Sequence, residues 1–415
     1  MELICNRTRS VILGKTSNAD SLGVSVKKLC IIQPFLVDYR QGVFLDLANF
    51  CPLDLVVSPA PHGSGFGKAT PSEYSRVRFF VIPTLKPFGE KIGMIQWGIA
   101  KYILRERPDA IMIFGNPRYL SFWTTLLWGN LLRIPVHVHG HGLYKKRHIG
   151  AFYRLMMTFL LKLATSYICY APVVRQSFLE RGFSEQKLAV AHNSLINQFP
   201  AQPREKRGDE RGILFIGRLR AGSNLRLLVR VIERLRRVDG LPLTLHVIGT
   251  GEETQSLRTE TSTLPWVVLH GEIYAQEQIR EVSLDCFLGC YPGNAGLSVE
   301  HLMSLSLPVI THDDLPSHQG PEPSFIQNGV EGLLYDHRTP EESLYRAIKS
   351  LATDPLRLAR MQQSAFEGYQ HLVNPPLSAR LWSIMDVQYI APRSDLASSP
   401  GTDSATPRRE SASSR

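Results

Sequence analysis

The feature that most constrains this chain is an alternation that occurs twice. Short apolar runs with strand character are separated by segments of helix length. The first series reads "KKLCIIQP", "LDLVVSP", "VRFFVIPT", "DAIMIFG", "PVHVHGHG", "SYICYAP" and "KLAVAHN". The second reads "ILFIGRL", "LTLHVIGTG", "WVVLHGE", "DCFLGCYP", "PVITHDD" and "GLLYD". Continuous rather than alternating apolar character marks strands buried on both faces, hence parallel sheets covered by helices. The spacing predicts helices between them, among them "MIQWGIAKYILRER" (94–107) and "NLRLLVRVIERLRRV". Between the series, "FPAQPREKRGDERG" (199–212) is polar and proline-bearing and reads as a linker. The expected organisation is a leader (1–26), a first α/β domain (27–198), a second (213–375), a closing helix (376–390) and a Ser/Pro/Arg-rich disordered tail (391–415).

With 415 residues, 43% of them hydrophobic and 20% charged, the chain has the composition of a soluble globular protein with more than one core. The start lacks a sustained apolar run, and no segment reaches the ~18 residues of a spanning helix. The six cysteines, Cys5, Cys30, Cys51, Cys169, Cys286 and Cys290, form no CxxC pair. Most sit in strand-like runs as buried thiols, which fits a reducing, cytoplasmic setting.

The net charge of +10 (47 basic, 37 acidic) is unevenly spread. From Ala110 to Leu179 there is no Asp or Glu, and "KKRHIGAFYRLMMTFLLKLAT" places Arg154, Thr158, Lys162 and Thr165 on one helical stripe. A basic helix with an apolar face suits the surface of an anionic membrane; the alternative is ordinary packing on its own domain. No nucleic-acid module accompanies the charge, so nucleic acid is not an expected partner.

Three strand ends of the second series share a chemistry suited to phosphate. "FIGRLRAGSNLRLL" brings Gly217, Arg218 and Arg220 to a turn, and "GTGEE" brings Gly249. "YPGNAGLSVEHLMSLSLPVITHDD" places Gly296, Leu297 and Ser298 at a helix start, where backbone amides lack intrahelical acceptors and attract anions. Neither GxGxxG nor GxxxxGK[ST] is present. His137, His139 and His141 alternate along one strand without a carboxylate nearby, so no metal site is expected.

The blocks from "ILFIGRL" through "PEPSFIQNGVEGLLY" resemble, in order and spacing, the donor domain of family-4 (group 1) retaining glycosyltransferases of the GT-B fold; "PDAIMIFGNPRYL", "IPVHVHGHG" and "AVAHNSL" resemble the other domain more loosely. The resemblance implies two Rossmann-like doubly wound α/β domains facing a central cleft. It implies transfer, with retention, from a nucleoside-diphosphate sugar to a saccharide or lipid-linked acceptor, with no cofactor and no metal. It places Arg218 on the diphosphate, Gly296 and Leu297 amides beside it, and Glu322 and His141 near the reacting sugar. The family's Glu-x7-Glu pair would fall on Gly293 and His301, with Glu300 one position away, and its lysine and glycine on Ser223 and Ser306; Arg220 stands where it can compensate for the lysine. The departures at Gly293, His301 and Ser223 leave a second reading, a sugar-nucleotide binder that has lost catalysis, and the basic first domain leaves a third, a membrane-surface scaffold.

Overall fold

The computed structural model describes residues 28–36, 40–59, 77–85, 95–205 and 211–390; the expected leader and tail lie outside them. The described residues up to Met385 belong to one compact unit.

The first sheet is built from β1 (Leu29–Phe35), β2 (Leu53–Ser58) and β3 (Val77–Val81), followed after a short ribbon, β4 (Thr84–Leu85) and β5 (Ile95–Gln96), by β6 (Ala110–Phe114), β7 (Val136–Gly140), β8 (Ser166–Cys169) and β9 (Leu188–Val190). All neighbours in the sheet are parallel, in the order β3-β2-β1-β6-β7-β8-β9. Register is fixed by the apolar run: Ile31 stands between Leu55 and Met112. Helices α1 (Gln41–Leu47), α2 (Ile99–Glu106), α3 (Leu120–Leu132), α4 (Ala151–Leu163) and α5 (Pro172–Leu179) cover it. Two separate apolar clusters, one holding Ile32, Ile113 and Val138 and the other Leu29, Ile31 and Met112, show that both faces are buried.

The second sheet holds β10 (Gly212–Ile216), β11 (Thr244–Ile248), β12 (Val267–Gly271), β13 (Cys286–Cys290), β14 (Val309–His312) and β15 (Gly332–Tyr335), again all parallel, in the order β12-β11-β10-β13-β14-β15. Its helices are α6 (Leu225–Asp239), α7 (Thr254–Glu260), α8 (Gln276–Ser283), α9 (Ser298–Ser304), α10 (Pro340–Ala352) and α11 (Pro355–Val373). In α6, Leu225, Leu228, Val231, Ile232 and Leu235 recur at helical spacing and are buried; Gly240, at φ 65°, ends the helix in the left-handed conformation. Both sheets reverse strand order beside their first strand, the topology in which ligands collect at strand C-termini.

The crossing between the sheets is anchored. Ala201 is buried in the second core, and its carbonyl accepts from the Ser306 hydroxyl. Ser306, where the family resemblance expects glycine, has φ 55°, so the turn before β14 does take the conformation glycine favours; the serine's hydrogen bond offsets its backbone strain. The last helix, α12 (Leu377–Ile390), returns to the first sheet, where Leu377, Leu381 and Met385 are buried with Leu29 and Phe44.

One expected helix is shorter than the sequence suggests. Within 94–107, Ile95 and Gln96 pair with β4, and the helix begins at Ile99 after Gly98, whose φ of 107° breaks the run. Cys30, Cys51, Cys169, Cys286 and Cys290 are buried free thiols, and Cys5 lies outside the described residues. Burial pushes the Cys30 and Cys169 thiols up to about 12. Among the described residues no helix is long and apolar enough to cross a membrane.

Candidate active site

A cavity of about 370 Å3 opens where the two strand-order reversals face each other. The ends of β1 and β6 contribute Gln33, Pro34, Phe35 and Phe114; the loop after β13 contributes Gly296 and Leu297. Four expected residues line it together, His141, Gly296, Leu297 and Glu322.

The remaining expected residues lie in and behind the second-sheet wall. Gly217 is packed so closely that a Cβ there would fall 2.7 Å from the Tyr291 ring and 3.4 Å from Ser298 Oγ. Gly249 has φ 132°, and a Cβ on it would strike the Gly217 carbonyl at 2.0 Å, so both glycines serve a tight passage of two loops. Arg218 is exposed; Arg220 is half-buried beside Tyr291, its Nε without a hydrogen-bond partner. Glu300 is buried away from the cavity lining and accepts from the Leu195 amide at 3.0 Å. His301, one residue on, carries a buried Nε2 that makes no hydrogen bond.

Two positions where the resemblance leads to the expectation of an acid and a lysine are tightly packed. A Cβ on Gly293 would lie 2.2 Å from the Gly222 carbonyl oxygen and 2.6 Å from the Ser223 carbonyl carbon, so the turn Ala221–Ser223 occupies the space a glutamate would need. Ser223 itself is fully buried and donates to the Arg220 carbonyl, out of reach of the cavity.

Three residues that sequence reasoning missed join the two walls. Arg40 Nη2 donates to Asn193 Oδ1 at 2.6 Å, and Asn193 Nδ2 donates to Glu322 Oε1 at 2.7 Å. Tyr170 stacks edge-on against His141 at 4.6 Å, with the Arg40 guanidinium 5.5 Å from its centroid. Glu322 Oε2 is buried without a partner and folds over Gly320, where any Cβ would collide with it at 1.8 Å. Lys145 also crosses the cleft, donating to the Gln319 carbonyl at 2.7 Å. The "AVAHNSL" block was the available signal for Asn193; nothing local marks Arg40.

Burial dominates the electrostatics. It raises the Glu322 carboxyl, partly offset by the Asn193 bond, and raises Glu300 further because Glu322 is near. It holds His141 down to about 4, helped by Lys145 and Arg40, so the imidazole is neutral near pH 7. His137, with Nδ1 2.8 Å from Ser166 Oγ, and His301 and His318 are likewise held to about 4, and His139, against Tyr170, well below its usual value. The unfolded chain binds protons on these rings below ~6.5 while the native state does not, so stability is lost as pH falls from there toward 4. The raised Glu300 and Glu322 carboxyls act in the opposite sense, but five lowered rings outnumber them, so a melting temperature that decreases between about pH 7 and pH 5 is the expected result, readable by scanning calorimetry. Among the described residues one group has metal-like spacing, Asp313, Asp336 and His337; it lies outside the cavity, and its acids already pair with His337 and Arg338.

Two family models divide the chain between them. Residues 53–195 match "Glycosyltransferase Family 4", and residues 210–354 match "Glycosyl transferases group 1". The chain belongs to the family-4, group 1 glycosyltransferases. That family is retaining and draws on nucleotide-sugar donors. Its two-sheet GT-B fold recurs in solved structures that are distant in sequence. Anabaena HepE in complex with UDP and glucose superposes with a TM-score of 0.63 at 15% identity, over 87% of this chain and 100% of that one. TarM from S. aureus gives 0.62 at 11%, over 88% and 99%. The lipopolysaccharide outer core galactosyltransferase WaaB gives 0.56 at 14%, over 84% and 99%. No curated protein sequence matches the glycosyltransferase.

Proposed function

We propose that this glycosyltransferase moves a hexosyl group from a nucleoside-diphosphate sugar to a saccharide or lipid-linked acceptor seated against the first sheet, as a step in polysaccharide or glycoconjugate synthesis. The observation that carries the reading is the cavity that brings the Gly296–Leu297 turn and Glu322 of one sheet to His141, Arg40 and Tyr170 of the other. In this reading the amides at Gly296 and Leu297, with Arg218 and Arg220, hold the diphosphate, and His301 stands near the ribose in place of an acid. Charge developing on the leaving phosphate is met by fixed dipoles and cations, the largest usual contribution to such catalysis. The bond from the anomeric carbon to the phosphate oxygen breaks as one to the acceptor oxygen forms on the same face, and the acceptor proton passes to the departing phosphate. Burial raises the Glu322 and Glu300 carboxyls, and Glu300 is turned to the Leu195 amide rather than toward the cavity, so this reading assigns neither the part of a nucleophile. UDP is the first base to test, since the HepE structure holds it.

The experiment is a thermal-shift panel of UDP, GDP, ADP, dTDP and CMP on the wild type and on Arg218→Ala. One diphosphate should stabilise the wild type and lose most of that effect in the variant. EDTA should leave transfer within about twofold, as expected if arginines and backbone amides do the work of a divalent cation. No shift with any nucleotide would count against the donor site. A second reading, a binder without turnover, draws on the blocked Gly293 position; it predicts the shift without hydrolysis or transfer of a labelled donor.

A further inference from the structure

We propose that the α3–α4 face of the first domain docks the protein onto an anionic lipid bilayer, an inference that stands independently of the donor-site reading. Helix α3, "LSFWTTLLWGNLL", contains no charged residue. Its inner side buries Phe122, Leu126 and Gly129, yet Leu120, Leu127 and Leu131 point to solvent, Leu131 at 71% exposure. A surface helix ordinarily turns polar residues outward. Helix α4 does the same: Phe152 is 81% exposed and Leu155 68%, with Phe159 beside them, three positions within about 60° on a helical wheel. Trp123 stacks on Phe159, and Asn130 Nδ2 donates to the Leu163 carbonyl, so the two helices lie side by side and their outer rows form one apolar surface.

Its rim is basic. Arg118 and Arg133 bracket α3, Lys146 precedes α4, and Arg154 and Lys162 line the outer edge of α4, all of them exposed; Arg147, also exposed, stands 3.9 Å from Asp314 of the other sheet and is not counted with them. No acid occurs between Ala110 and Leu179. That uniform sign selects among occupants. A second copy meeting through a two-fold axis would set positive rim on positive rim. A bilayer bearing anionic headgroups instead offers hydrocarbon to the leucines and phenylalanines and negative charge to the rim.

The test uses the full chain with vesicles of phosphatidylcholine, with and without phosphatidylglycerol. Wild type should float with the anionic vesicles and stay behind with the neutral ones. The Phe152→Asp/Leu155→Asp double variant should bind at least about tenfold less, and Arg154→Glu/Lys162→Glu should lose about fivefold or more per charge, with binding that weakens as salt rises. Because these side chains are exposed, the melting temperature and any nucleotide shift should not change. Two results would overturn the proposal. One is anionic-vesicle binding that is absent, or untouched by both variants. The other is a concentration-dependent dimer, seen by sedimentation without lipid, that the apolar variant abolishes. Loss of the nucleotide shift alone would speak only to the donor site.

Discussion

Glu322→Gln is expected to lower kcat by about two to three orders of magnitude while the protein stays folded. The magnitude follows from removing one preorganised polar contact in a water-poor site, which costs 10²–10³ in comparable enzymes. Glutamine keeps the shape, and its carbonyl can still accept from Asn193 Nδ2, the bond that ties the loop to the first domain. What it loses is the capacity of Oε2, buried in the cavity without a partner, to carry a proton or a charge toward the sugar. The melting temperature should hold or rise, because the substitution replaces a buried titratable group. Release of nucleoside diphosphate from the donor, followed with and without acceptor, is the measurement. A rate within about fivefold of wild type would remove Glu322 from the reaction and leave it a structural strut.

Gly293→Glu introduces the acid that the family resemblance leads one to expect at that place, and it is expected to harm rather than help. The new Cβ would sit 2.2 Å from the Gly222 carbonyl, inside backbone that has no flexible end to yield. Overpacking of this kind costs about 1–3 kcal/mol, and more where backbone must shift. The turn that must move joins Arg220 to α6, and Asn294 donates to Gly222 across it at 2.8 Å, so both sides of the expected diphosphate site would be displaced. A melting temperature lower by several degrees together with a lost nucleotide shift is the outcome to look for. A variant with wild-type stability and faster transfer would mean that the loop has room for the acid after all.

Both sheets were legible because their strands are short apolar runs, all but β9 bounded by glycine or proline, the pattern expected of buried parallel strands. The ribbon of Thr84–Leu85 with Ile95–Gln96 was not, since two-residue strands leave no periodic trace. Within the site, glycine-rich strand ends and the family blocks marked Gly296, Leu297, His141 and Glu322, all of which line one cavity. Arg40 and Asn193 escaped because their meaning lies in partners 153 and 129 residues away. Glu300 shows the opposite difficulty. The sequence locates it one turn into a helix near the site, and only the fold reveals that its carboxylate is turned to the Leu195 amide. The three alternating histidines were separable only by position: His137 and His139 lie inside β7, with both neighbouring strands against them, while His141 follows its end and reaches the cavity.

The chain passes between the two halves twice, once through Ala191–Ala201 and again where α11 gives way to α12, whose Leu377 and Leu381 rejoin the first sheet. A body tethered at a single point can swing in any direction. One tethered at two can turn only about the line that joins them, like a door on paired pins. The two covalent crossings thus hold the halves together at two places, and Asn193, in the first of them, makes its bond to Glu322 close to one of those links.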